Sequence, residues 1–168
     1  EGQIVLAAGT TAYLSERPDG QGFLVAVTAP AGEALNLKDL IADGGNINIY
    51  GRVVNQQGLV QANSVREKNG RIELFASEKL ILANGSVTSA KGSDQGVSNG
   101  GTISVVSDKT QGATQFDPGA IVDISGGIQG GNGGSAEISG HEVSLGGIVK
   151  GGAASGYQGG NLLLDPYD

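Results

Sequence analysis

The chain has 168 residues, of which 31 are Gly, and it contains no Cys, Met or Trp. Its 10 Lys and Arg against 17 Asp and Glu give a net charge of −7. The absence of Cys excludes a disulfide scaffold, a thiolate zinc site and a thiol nucleophile. The acidic balance argues against nucleic-acid binding by phosphate neutralisation. The sequence also lacks a run of about 18 or more apolar residues that could span a membrane as a helix.

The chain begins at Glu1 and soon enters an apolar run, without an initiator Met or a signal-like apolar segment. This start predicts a processed chain or a piece of a larger secreted protein. The length predicts a single domain over residues 1–168. Gly-, Ser- and Asn-rich stretches predict loop insertions near 92–99, 107–115 and 126–134.

A phrase of the form Gly-x-apolar-x-apolar recurs along the chain, and its internal period of two is that of a β-strand. Short apolar runs between the copies, such as 80–82 and 143–145, predict further strands in each repeat. Two weaker copies come first and five stronger copies follow, at residues 2–6, 22–26, 45–49, 70–74, 101–105, 134–138 and 160–164.

Three short strands repeated in constant register are typical of a parallel β-helix. We therefore predict an all-β fold, a single-stranded parallel β-helix or solenoid of about seven coils with three short strands each. Stacked coils would place inward side chains about 4.8 Å apart. The competing fold is an antiparallel sandwich or barrel, because Asn69-Gly70 and Asn84-Gly85 are hairpin dipeptides. The predicted core stack is Ile47, Ile49, Ile72, Leu74, Ile103, Val105, Ala136, Ile138, Leu162 and Leu164.

Residues 33–43 allow two interpretations. Ala34, Leu37, Leu40 and Ile41 have helical spacing, whereas residues 40–44 resemble another short strand followed by a turn. We favour strand and turn.

A second column of residues, each directly before the first inward residue of a copy, predicts a flat hydrogen-bonding face. A glycan or another solenoid could lie on this face, although a merely solvated face fits the same residues. The candidate polar contact face is Asn46, Arg71, Thr102, Ser135 and Asn161.

Two carboxylates are the best candidates for catalysis. Glu73 and Glu137 would lie on one face two coils apart, about 9–10 Å by strand spacing, and inverting glycosidases hold two carboxylates about 6.5–9.5 Å apart. No cationic column or aromatic platform accompanies them. A solvated strand face is therefore the favoured interpretation, and we predict no catalytic residue.

Metal binding has weak support in the sequence. Residues 130–138 resemble the nonapeptide of calcium β-rolls, but Ser135 stands at the Asp position and the phrase occurs once. Asp94 and Asp108 could bind calcium adventitiously from their loops. His141 is the only His and is expected to be a surface or turn residue. We predict no metal site and no cofactor.

Four phrases in order along nearly the whole chain carry a family resemblance, at residues 2–9, 54–58, 69–74 and 159–166. They resemble filamentous-haemagglutinin-like exoproteins (adhesins) of bacterial two-partner secretion, in the β-helical region that follows the secretion domain. The resemblance implies a right-handed β-helix. It also implies export of the parent protein through a dedicated outer-membrane transporter, and a role in adhesion, aggregation or biofilm matrix.

These observations predict a non-catalytic structural or adhesive segment of a secreted exoprotein at the surface of a Gram-negative bacterium. The expected partners are host or bacterial surface glycans or proteins, or matrix polysaccharide, and not nucleic acid. The alternative is an extracellular filament subunit that stacks end to end through open β-helix ends. A polysaccharide-acting β-helix enzyme using the two carboxylates is the least favoured function.

Overall fold

The computed structural model describes residues 2–20 and 22–167, apart from the side chain of Ala29. Over these residues the protein is all-β, with sixteen strands in three sheets. None of the described residues forms a helix long and apolar enough to cross a membrane.

The largest sheet has nine strands, and six of them form a path in which every neighbouring pair is parallel. Three shorter strands form a second row. Two of them pair with the C-terminal parts of the two longest strands, and the third pairs with one of these two shorter strands. The path consists of β1 (Gln3–Ala7), β6 (Asn46–Gln56), β8 (Arg71–Leu82), β10 (Thr102–Ser107), β13 (Ser135–Gly140) and β16 (Asn161–Pro166). The second row adds β4 (Glu33–Asn36), β11 (Ala113–Phe116) and β14 (Glu142–Leu145).

The second parallel sheet has five strands of three residues each, and the chain visits it once between successive strands of the main path. The interpretation of residues 33–43 as strand and turn is confirmed, because they contain β4 and the first strand of this sheet. In chain order these strands are β5 (Asp39–Ile41), β7 (Leu59–Gln61), β9 (Val87–Ser89), β12 (Ile121–Asp123) and β15 (Ile148–Lys150).

The third sheet is an antiparallel hairpin of β2 (Gly9–Glu16) and β3 (Phe23–Pro30). Pro18 and Asp19 precede Gly20, whose φ is +69°, and these residue types favour a tight turn. The Arg17 N–H donates to the Gly22 carbonyl at 3.0 Å and closes the loop.

The predicted fold class, a single-stranded right-handed parallel β-helix of about seven coils with three short strands each, is wrong. The chain instead forms two parallel sheets and a separate antiparallel sheet. The copy at 22–26 lies in the hairpin, and the copy at 2–6 pairs directly with the copy at 45–49. For the copy at 22–26 the physical reason is the turn at 18–20, because closing a short loop costs less entropy than a pairing between distant strands.

In the five stronger copies, from Gly45 to Gly160, the first Gly lies where neighbouring backbones leave no room for a side chain. A Cβ on Gly45 would lie 1.9 Å from the Gly2 carbonyl oxygen, and a Cβ on Gly134 would lie 1.9 Å from that of Gly101. The residue after each Gly donates its N–H to the Gly of the preceding strand. These bonds run from Asn46 to Gly2, Arg71 to Gly45, Thr102 to Gly70, Ser135 to Gly101 and Asn161 to Gly134. We call Gly2, Gly45, Gly70, Gly101, Gly134 and Gly160 the glycine column.

The residues of the predicted core stack lie in two columns of Cα partners along the main path. Those from β6 to β13 are buried, with at most 4% of each residue exposed: Ile47, Ile49, Ile72, Leu74, Ile103, Val105, Ala136 and Ile138. Leu162 and Leu164 continue the register on β16 but are 43% and 42% exposed. Among the described strands β16 pairs only with β13, so no other strand covers these two leucines.

The three predicted insertions differ in structure. Residues 92–99 contain no strand, and residues 126–134 contain only an isolated bridge between Gly127 and Gly130. The segment 107–115, by contrast, holds the end of β10, a turn and most of β11. Its Ala113 and Thr114 therefore pair with β8 instead of projecting as a loop.

Replacement of Ile103 by Ala tests the buried column, because Ile103 is 0% exposed and lies between Ile72 and Ala136. We expect Ile103→Ala to lower the free energy of unfolding by about 2–5 kcal/mol, as measured by urea denaturation. Val106→Ala is the matched control on the outward side of the same strand, with an expected loss below about 1 kcal/mol. Equal losses for the two variants would contradict the assignment.

Candidate functional site

The candidate polar contact face forms one column of Cα partners along β6, β8, β10, β13 and β16. Its members differ in accessibility, because Asn46 is buried at 9% exposure and Arg71 is half-buried. The other three, Thr102, Ser135 and Asn161, are exposed on successive strands. The surface available for contact is therefore the part of the column from β10 to β16.

Glu73 and Glu137 share the next outward column with one residue, Ser104, between them. Strand spacing places their Cα atoms about 10 Å apart. The Glu73 carboxylate accepts hydrogen bonds from Arg17 at 2.7 Å, from Asn48 at 2.9 Å and from Tyr50 at 3.0 Å. These contacts give Glu73 a structural role in attaching the hairpin.

The ion pair between Arg17 and Glu73 joins the hairpin turn to the main sheet across 56 residues of sequence. The Arg17 side chain is 7% exposed and that of Glu73 is 28% exposed, so water screens the pair weakly. The Arg17 Nε is buried without a hydrogen-bond partner. Loss of Glu73 would leave the buried Arg17 charge unpaired, which is costly.

Gln3 fixes the other side of the hairpin. Its side chain accepts from the Phe23 N–H at 2.8 Å and donates to the Phe23 carbonyl at 3.0 Å. It also donates to the Asn48 Oδ1 at 2.7 Å. We call Gln3, Arg17, Asn48, Tyr50 and Glu73 the hairpin clamp.

The clamp changes the proton affinity of Tyr50. Burial, followed by the nearby Glu73 carboxylate, raises the pKa of Tyr50 from its ordinary value of 10.0 to about 12. Because the folded protein then holds the phenolic proton more tightly than the unfolded chain, this contribution to stability is complete below about pH 10. It is lost as the pH rises from about 10 to about 12.

A cleft of about 400 Å³ opens between the hairpin turn and the start of the glycine column. Gly22 borders it with a φ of +84°, and a Cβ there would lie 2.6 Å from the Asn46 Nδ2. The cleft places one member of the polar face beside an aromatic ring that is 44% exposed. Its side-chain lining is Gln3, Phe23, Asn46, Lys68 and Asn69.

The loop acids considered for calcium have protein partners. Asp94 lies 3.6 Å from the Lys91 ammonium, and Asp108 accepts from the hydroxyl and the N–H of Thr110. The Thr110 hydroxyl, with its N–H, lowers the pKa of the Asp108 carboxyl below its ordinary value. Within residues 2–20 and 22–167, no three His, Cys, Asp or Glu side chains converge as a group that could hold a metal ion. His141 lies at the bend between β13 and β14, half-buried.

Sequence reasoning missed the hairpin clamp, although one signal was present. The turn residues 18–20 could have indicated a local hairpin. Nothing in the sequence pairs Arg17 with Glu73, because the contact depends on how the hairpin folds over the sheet.

Comparisons with protein-family models, with curated proteins and with solved structures gave no significant match. The resemblance to filamentous-haemagglutinin-like exoproteins therefore stays a prediction from the sequence.

The raised pKa of Tyr50 predicts a late step in the alkaline titration of the four tyrosines. Tyrosinate absorbance should show one phenol titrating near pH 12, and the unfolding free energy should fall more steeply between about pH 10 and 12 than in Tyr50→Phe. Tyr13→Phe is the control, because Tyr13 is 62% exposed. A late step that survives in Tyr50→Phe would contradict the assignment.

Proposed function

We propose that this chain is a non-catalytic structural and adhesive segment of a secreted exoprotein at the surface of a Gram-negative bacterium. Its work is to hold a rigid array of strands and to present one polar column to surface glycans, proteins or matrix polysaccharide. The observation that supports this most is the exposure of Thr102, Ser135 and Asn161 on three successive parallel strands.

Rigidity is supported by an internal amide pair as well as by the apolar core. The buried Asn36 donates to the Gln56 side chain at 2.8 Å and to the Leu59 carbonyl at 3.1 Å. Gln56, which is 0% exposed, donates to the carbonyls of Gly58 and Val87. These bonds connect the nine-stranded sheet to the five-stranded sheet, and buried amides with satisfied partners favour a single arrangement.

The chemistry of the column suits a neutral or cationic surface. Thr and Ser hydroxyls and the Asn amide both donate and accept hydrogen bonds. Neighbouring strands are about 4.8 Å apart, so an extended ligand could contact the polar side chains of several strands at once. The net charge of −7 disfavours polyanions such as nucleic acid.

Removal of the three exposed polar side chains tests the adhesive role. We expect Thr102→Ala/Ser135→Ala/Asn161→Ala to reduce retention of labelled protein on cultured epithelial cells and bacterial biofilm by about tenfold or more, since each lost hydrogen bond costs about 0.5–1.5 kcal/mol. The control carries three alanines at exposed polar positions away from the column. These control positions are Thr110, Gln129 and Ser144. Equal retention of the two triple variants would overturn the adhesive role of this face.

A second candidate function is end-to-end self-assembly, and the exposed edge of β16 favours it. Leu162 and Leu164 continue the core columns but are exposed. Together with Phe116 and Ile138 they help to line a pocket of about 210 Å³. A parallel strand from a second copy would bury both leucines and pair the edge of β16. Unpaired strand edges readily take up a further strand.

Sedimentation velocity and electron microscopy over a concentration series test self-assembly. We expect particles that grow with concentration, and their loss in Leu162→Lys/Leu164→Lys because buried Lys is costly. Leu163→Lys is the control, since Leu163 belongs to the outward column with Glu137. Monomers at every concentration, or equal growth of both variants, would contradict this candidate.

A further inference from the structure

A polar groove lies beside the ends of three strands of the five-stranded sheet, and no residue of the polar contact face lines it. It has a volume of about 440 Å³, within the range of about 300–1,000 Å³ that is usual for ligand pockets. We call it the corner groove, and the side chains that define it are Asp43, Gln61, Asn63, Lys91, Ser93 and Asp94.

Three of these side chains occupy equivalent positions on successive strands. Asp43, Asn63 and Lys91 each follow the end of their strand, β5, β7 and β9, by two residues. Backbone bonds hold this register, because the Gly44 N–H donates to the Asn63 carbonyl and the Ser64 N–H donates to the Lys91 carbonyl. A carboxylate, an amide and an ammonium group therefore line the groove, and they follow neighbouring strands that are about 4.8 Å apart.

Hydrogen bonds within the protein hold these polar groups in place. Both carboxylate oxygens of Asp43 accept from the Gln61 side chain at 3.0 Å, and Oδ1 also accepts from the Asn63 N–H at 2.9 Å. The Asn63 Oδ1 accepts from the Ser89 hydroxyl at 2.6 Å and from the Lys91 N–H at 3.2 Å. Side chains fixed in this way lose little entropy on binding.

The groove also keeps hydrogen-bonding capacity for a ligand. A carboxylate has about four acceptor positions, and the hydrogen bonds from Gln61 and Asn63 occupy three of them at Asp43. The Lys91 ammonium has three donors, and its exposed contact with Asp94 at 3.6 Å is a weak surface ion pair. The groove thus presents an acceptor at Asp43 and donors at Lys91, and a hydroxyl group can donate to the first and accept from the second.

The walls are two short ordered segments. Val65 and Lys68 exchange backbone hydrogen bonds of 2.9 and 3.0 Å across the turn on one side. On the other side, the Ser93 N–H donates to the hydroxyl of Ser98, which is 2% exposed. Both walls are therefore held by hydrogen bonds within the protein.

From this arrangement we propose that the corner groove binds an uncharged glycan chain. The two carboxylates against one ammonium give the groove a net negative charge, and the whole chain carries −7, so acidic polysaccharides are repelled. Hydroxyl groups both donate and accept, so they can bind the acceptor at Asp43 and the donors at Lys91. The site is separate from the polar contact face and does not require that face to be adhesive.

The test is a titration of ¹⁵N-labelled protein, followed by backbone amide chemical shifts. The probes are cellotetraose and maltotetraose as neutral glycans, tetragalacturonic acid as an acidic one, and calcium chloride alone. We expect saturable shifts at Asn63, Lys91 and Ser93 with at least one neutral probe, and a Kd of about 1 mM, because hydrogen bonds without aromatic stacking give weak binding. Tetragalacturonic acid should produce no saturable shift at these amides.

Asp43→Asn should raise the Kd for the neutral probe about tenfold, because a charge-assisted acceptor is replaced by a neutral amide. Asp123→Asn is the matched control: Asp123 accepts from the Ser125 N–H two residues on, in the same sheet but outside the groove. It should leave the Kd unchanged. The triple alanine variant of the polar face should also bind normally, which separates failure of this site from failure of the adhesive face.

Three outcomes overturn the proposal. The first is the absence of saturable shifts at these amides with both neutral probes up to their solubility limits. The second is equal binding by Asp43→Asn and the native protein. The third is a response to calcium chloride alone, or tighter binding of tetragalacturonic acid, which would make the groove a cation or anion site.

Discussion

The fold depends on how closely neighbouring backbones approach at the glycine column. At Gly45 and Gly134 the adjacent carbonyl oxygen lies within 2 Å of the place that a Cβ would occupy. Any side chain there would push the strands apart and break the hydrogen bonds that begin each pairing. The apolar columns that include Ile72 and Ile103 follow from this constraint, because it sets the register in which their side chains meet.

The hairpin clamp is a second, independent constraint. It attaches an antiparallel element to a parallel sheet through side chains instead of backbone pairing. Arg17 and Glu73 lie mostly out of water, so water and salt screen their 2.7 Å contact only weakly. The buried phenol of Tyr50 adds a donor to the same carboxylate. The hairpin therefore lies in a defined place over β6 and β8, and its turn forms one wall of the cleft beside Asn46.

The strands and their inward residues were predictable from the sequence. The assembly of these strands into sheets was only partly predictable. The period of two identified the inward residues, and Ile47 to Ile138 are buried as that pattern predicts. The same pattern at 22–26 was assigned to a parallel repeat, whereas it belongs to the hairpin. Alternation does not specify the direction of pairing, and here the neighbouring turn at 18–20 decides it. The polar column was also visible in the sequence, but the burial of Asn46 beneath the hairpin was not.

By itself the sequence determined the all-β character, the positions of the repeated strands and the alternation of inward apolar with outward polar residues. These are local properties, set by residue type and spacing. Only the tertiary structure decided that the chain divides into two parallel sheets and a hairpin. It also brought Arg17 to Glu73, and Asp43 to Asn63 and Lys91. Such contacts join residues far apart in sequence, and they depend on loop paths that no local pattern encodes.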